Sequence, residues 1–194
     1  MANFIDDFMK TYGDEVVTQM AANTGLDQKT VQSLIPKLTP LILGGLKKQK
    51  DERGGDARVD HILNKYGDPS VLDNIEDLIS SKTHDSTADA NLGGLLGDDG
   101  GVQAARALGK SLNIDASAIM KMIPSLAPIV LGALSKKKAT APGGIGGIGS
   151  LLDANGDGSI IDDVAGYILK GTAGKQTRGK NILGSILGSM LKNK

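Results

Sequence analysis

Residues 26–50 read LDQKTVQSLIPKLTPLILGGLKKQK, and residues 114–138 read IDASAIMKMIPSLAPIVLGALSKKK. At a shift of 88 positions Asp27 meets Asp115, Ile35-Pro36 meets Ile123-Pro124, and Leu38 meets Leu126. Pro40 then meets Pro128, Leu43-Gly44 meets Leu131-Gly132, and Leu46 meets Leu134. In the first stretch Val31, Leu34, Ile35, Leu38 and Ile42 recur at helical spacing and define one apolar face. Each stretch opens on an aspartate, which can accept from the free amides of a first turn, and closes on lysines, where a helix dipole is negative. Two prolines four residues apart lie inside each. A proline removes one backbone donor and crowds the carbonyl four residues back, at a cost of about 3 kcal/mol in a straight helix, so each helix should kink or break there. Such a bend serves either the core or a groove floored by Leu41, Ile42, Ile129 and Val130; burial of those four is the expected outcome.

The match extends outward. At a shift of 89, residues 59–75 (VDHILNKYGDPSVLDNI) align with residues 148–164 (IGSLLDANGDGSIIDDV), pairing Gly67-Asp68 with Gly156-Asp157 and Ser70 with Ser159. At a shift of 91, LGGLLG at 92–97 aligns with LGSILG at 183–188. These alignments predict an all-α protein: a compact multihelical bundle built from two tandem copies of one helical unit, at 13–97 and 101–188, packed as one domain. A further N-terminal helix over 1–12 stands outside the repeat, with Phe4, Ile5, Phe8, Met9 and Tyr12 on one face and Gly13 ending it. A second short helix follows to Thr24. Ser70 and Ser159 read as N-caps with Asp73 and Asp162 three residues on, an approximate capping box. Residues 92–97 read as a short Gly-rich helix, with Gly44 and Gly132 allowing close helix crossing. Residues 82–89 and 136–143 read as flexible connectors.

Composition narrows the function classes. Aromatics make up 3% of the 194 residues, so the core must come from aliphatic side chains, which suits packed helices better than sheets. Lysine plus arginine equals aspartate plus glutamate at 22 each, leaving no electrostatic footprint for nucleic acid. The absence of cysteine removes disulfides, thiolate nucleophiles and zinc–thiolate sites. The N-terminal residues carry acids where a secretory signal needs an apolar run. The apolar stretch from Met122 to Leu134 contains two prolines and is too short to span a bilayer. A cytoplasmic location is expected.

One loop invites a metal. Asp153, Asn155, Asp157, Ser159 and Asp163 resemble the opening of an EF-hand loop, in which calcium takes oxygens from positions 1, 3, 5, 7, 9 and 12. The twelfth position is Val164, where a bidentate glutamate belongs, and Asp163 falls one residue early. The aligned residues of the first copy are Asn64, Tyr66 and Asp68, so the part common to both copies is the part a capped turn requires. Calcium is thus a weak alternative to a structural turn.

Other motifs dissolve on inspection. Gly144, Gly146 and Gly149 match G-x-G-x-x-G, but no strand precedes them. His61 and His84 are the only histidines and have no thiolate company. The pairs Asp6-Asp7, Asp98-Asp99 and Asp162-Asp163 are adjacent and so do not share a helix face. No residue set for catalysis emerges. Near the C-terminus Ile182, Leu183, Ile186, Leu187, Met190 and Leu191 share a face flanked by lysines; internal packing is expected, with a partner groove or a membrane surface as alternatives.

The run LTPLILGGL and its copy LAPIVLGAL, followed by GDGSIIDDVAGYI and the closing LGSILG, resemble the bacterial YidB-like superfamily (DUF937), a domain of unknown function. The resemblance spans nearly the whole chain from Gly13 and implies a compact multihelical fold, with no activity, cofactor or catalytic residue attached. The functional expectation is a non-catalytic helical binding or scaffolding protein of unknown partner, with a membrane-surface role and weak calcium binding as alternatives.

Overall fold

The computed structural model describes residues 4–140. They form six α-helices and one 3-10 turn, with no strand among the described residues: α1 (Phe4–Thr24), α2 (Gln28–Arg53), α3 (Gly55–Tyr66), the 3-10 turn (Pro69–Asp73), α4 (Ile75–His84), α5 (Gly100–Leu112) and α6 (Ala116–Thr140). The described residues are all-α, as the sequence predicts.

The long helices begin where their aspartates stand. Asp27 accepts from Thr30 N at 2.9 Å and from Thr30 Oγ1 at 2.6 Å. Asp115 accepts from Ser117 N at 2.9 Å and Ser117 Oγ at 2.7 Å. Neither helix breaks at its prolines; α2 runs on through Pro36 and Pro40, and α6 through Pro124 and Pro128. Each gains more by keeping its apolar stripe in one piece than it loses at two missing amide bonds. Ile35, Leu38, Leu43 and Leu46 are buried, as are Ile123, Leu126, Leu131 and Leu134, all in one core with Phe8, Met20, Ile75 and Ile79. At about 1.5–3 kcal/mol for each fully buried aliphatic side chain, the stripe outweighs the prolines.

Several local expectations are corrected. The break at Gly13 does not occur, and α1 is one helix. Gly13 is buried, and Met9 Cε lies 3.2 Å from where a β-carbon on Gly13 would stand. Burial of Phe4, Phe8, Val16, Val17 and Met20 on both sides of it exceeds the roughly 1 kcal/mol helix penalty of glycine. The cap before residue 70 is Asp68, which accepts from Ser70 N at 2.9 Å, and not Ser70. Pro69 supplies a preset φ at the first position of the turn, so the cap must precede it. Residues 92–96 form successive turns, with Leu92 at φ 55°, and no short helix forms over 92–97. Residues 82–84 lie in α4 and 136–140 in α6, so these positions are helical where flexible connectors were expected.

Ion pairs tie the C-terminal end of α6 to its neighbours: Lys137 meets Asp7 of α1 at 2.5 Å, and Lys138 meets Asp60 of α3. Half-exposed pairs of this kind contribute about 0–1 kcal/mol. Among the described residues α6 is the one helix long and apolar enough to cross a membrane, but 72% of its most apolar window is buried inside the fold. It is the central core helix, packed by α1, α2, α3, α4, α5 and the 3-10 turn.

Candidate functional site

The groove weighed from the sequence is filled. Ile42, Ile129 and Val130 are inaccessible and belong to the core, while Leu41 is half-buried.

A different cleft opens one turn around α6. It has a volume of about 470 Å³ and lies between α3, α6 and the connector from α4 to α5. Pro124, Ala127, Pro128 and Leu131 of α6 make its floor, joined by Ile62 of α3 and by Leu92 and Leu95 of the connector. The rim carries Arg53 from the end of α2, Arg58 and Tyr66 from α3, and Lys82 from α4. Tyr66 is 55% exposed, the largest apolar side chain displayed in the described residues, and Lys65 Nζ stands 5.1 Å from its ring centre. The prolines matter here for shape. With no N–H and a ring lying along the helix, they present a smooth apolar surface.

Two aspartates share the rim, but their carboxylates are occupied. Asp85 accepts from Thr87 N at 2.9 Å and Thr87 Oγ1 at 2.6 Å. The Thr87 hydroxyl and amide, with a smaller contribution from Lys82, hold its carboxyl below the usual aspartate value of 3.8. Asp89 accepts from Asn91 N and Gly93 N, each at 2.8 Å. Arg58 Nε donates to Gln49 Oε1 at 3.2 Å, which steadies its guanidinium against the end of α2. The cleft therefore offers an apolar bed edged by three cations and by two carboxylates held in turns.

The chain belongs to the family of bacterial proteins of unknown function DUF937. The family's model matches residues 6–137 and residues 135–193. The first match takes in all of the cleft, so the cleft-bearing part is the family's own domain. No curated protein and no solved structure matches the chain.

The metal residues singled out from the sequence, Asp153, Asn155, Asp157, Ser159 and Asp163, lie outside the described residues, as does the apolar face from Ile182 to Leu191. His61 and His84 are both exposed, and His84 Nδ1 bonds the Ser80 carbonyl at 2.8 Å. Among the described residues no three histidine, aspartate or glutamate side chains converge to hold a metal ion. The cleft residues Arg53, Arg58 and Lys82 escaped sequence reasoning because they come from three helices and share no spacing. Pro124 and Pro128 were visible, but as helix breakers.

Proposed function

We propose that this chain is a non-catalytic helical binding protein of the bacterial cytoplasm, built from a duplicated helical unit, whose cleft takes an apolar segment of a protein partner bearing a carboxylate. One observation carries the reading: a cleft with an aliphatic and proline floor is edged by Arg53, Arg58 and Lys82, while its own acids are spent on turns. Apolar burial would supply affinity, and the guanidinium groups would select a carboxylate by paired hydrogen bonds. The duplication is supported by the alignment of residues 26–50 with 114–138, and by the likeness of α2 and α6, each capped by an aspartate and carrying two internal prolines.

The test is a capture experiment with paired baits. The unaltered chain and Arg53→Glu/Arg58→Glu are each used to recover partners for mass spectrometry. A partner held by the first and lost by the second, with equal melting temperatures, supports the cleft. A partner retained equally by both sinks it.

The loop from Asp153 to Asp163 receives the reading of its counterpart, in which Asp68 holds a turn through the Ser70 amide. Calorimetry is expected to give no saturable calcium heat, and melting should be the same in chelator. A sub-millimolar to millimolar calcium isotherm that Asp153→Ala abolishes would restore the metal.

A further inference from the structure

The 3-10 turn Pro69–Asp73 rests on α6, and glycines on both sides permit it. A β-carbon on Gly132 would lie 2.9 Å from Asp68 O and 3.0 Å from Val71 Cγ2. A β-carbon on Gly67 would lie 2.8 Å from Ser135 Oγ and 2.9 Å from Leu131 O. Nearby, α4 fastens to the same helix through the buried hydrogen bond between Thr83 Oγ1 and Ser125 Oγ, at 3.2 Å. The face of α6 running through Ser125, Ile129, Gly132 and Ser135 is therefore covered by the turn and α4.

The aligned face of α2 is Lys37, Leu41, Gly44 and Lys47. Lys37 is buried at one end of it, its Nζ donating to Ser33 O, while Leu41, Gly44 and Lys47 are only half-buried. Among the described residues α2 packs mainly against α1, α3 and α6, and the turn does not reach it. Beyond the adjoining backbone of α2 itself, nothing described comes within 4 Å of a β-carbon placed on Gly44. Charge differs between the two faces in a coordinated way. The two serines by which α6 meets the turn and α4, Ser135 and Ser125, are replaced on α2 by Lys47 and Lys37. In the aligned loops, Asn64 and Asn74 of the first copy are replaced by Asp153 and Asp163 in the second. On the half-exposed part of the helix the gained cation is Lys47, which also pairs with Asp51, and carboxylates are gained on the loop. The reach is also matched: 14 positions separate Arg53 from Gly67, and 15 separate the aligned Ala141 from Gly156.

We propose that residues 153–164 of this same chain seat on α2 at Gly44, as the turn at 68–73 seats on α6 at Gly132, with Ile160 in the place of Val71 and the loop's carboxylates against the α2 lysines. Each copy's Gly-Asp turn then closes the other copy's long helix. The loop's extra acids serve ion pairing across the two copies. This rests on the duplication proposed above.

Because the chain has no cysteine, an introduced pair reports cleanly. Gly44→Cys with Ile160→Cys should oxidise to a disulfide within one chain, seen as a reductant-reversible mobility change. Val71→Cys with Gly132→Cys is the reference pair. Failure of the first pair to link while the reference pair links overturns the proposal. On the unaltered chain, a zero-length carbodiimide should join Lys47 or Lys48 to one of Asp153, Asp157, Asp162 or Asp163. If those acids join other lysines instead, the seat is elsewhere. Links found only between chains in a mixture of 14N- and 15N-labelled protein would assign the seat to a second copy and overturn docking within the chain. Amide exchange separates this failure from that of the duplication. Slow exchange at 148–155 and 164–171, matching α3 and α4, without the expected links overturns the docking alone. Fast exchange throughout both segments overturns the duplicated unit as well.

Discussion

At the scale of single residues, identity alone did not predict which glycine matters. Gly44 and Gly132 align, and both were expected at a crossing. Gly132 is at one, pressed against the Asp68 carbonyl, whereas on α2 the tight position is the neighbouring Gly45, whose β-carbon would fall 2.6 Å from Leu95 O. Gly132→Ala should destabilise by about 1–3 kcal/mol, because the added methyl meets backbone that cannot rotate away. Denaturant melts would show it, and an unchanged midpoint would mean that the turn gives way. The four capping aspartates make a second prediction. Hydrogen bonds from Thr30, Ser70, Thr87 and Ser117 lower the pKa of Asp27, Asp68, Asp85 and Asp115 below 3.8. The folded state thus binds fewer protons than the unfolded state in this range, so stability rises with pH. The contribution is complete above pH 3.8 and is lost as pH falls through the lower folded values. Melting temperature should drop below about pH 4, and Asp27→Asn with Asp115→Asn should flatten that acid limb.

At the scale of elements, the Pro-bearing helices were legible as helices and illegible as continuous ones. Local rules price the missing amides, but they do not count the side chains that stay buried on either side. Leu38 and Leu126 are both fully buried at aligned positions of α2 and α6. Leu38→Ala and Leu126→Ala should each cost about 2–5 kcal/mol. Similar losses at both sites are expected from chemical denaturation. A loss under 1 kcal/mol at either would mean that its surroundings collapse to fill the hole. The same competition explains α1. Gly13 was expected to end a helix and does not, because burial of Phe8 and Met20 to either side outweighs the local glycine penalty.

At the scale of the whole molecule, a helix with the length and composition of a membrane span is the hub of the fold. Since 72% of its most apolar window is already covered by other helices, little of that surface is left for lipid. The full chain is expected to remain in the supernatant when spun with anionic lipid vesicles. Cosedimentation that Ile186→Asp/Leu187→Asp removes would point instead to the C-terminal apolar face as a surface anchor.

Helix content, the starts of α2 and α6 at Asp27 and Asp115, and the two buried stripes were determined by the sequence itself. Each depends on residues within a few positions of one another, where periodicity and capping operate. Contacts between distant segments decided the rest. Asp68 lies 64 positions before Gly132, and only their meeting distinguishes that glycine from Gly44. The cleft joins Arg53, Tyr66, Lys82 and Pro128 from four helices, a juxtaposition no local pattern encodes. Which face of α6 stays open is set by where the other helices end, because a helix face is exposed only when nothing packs on it.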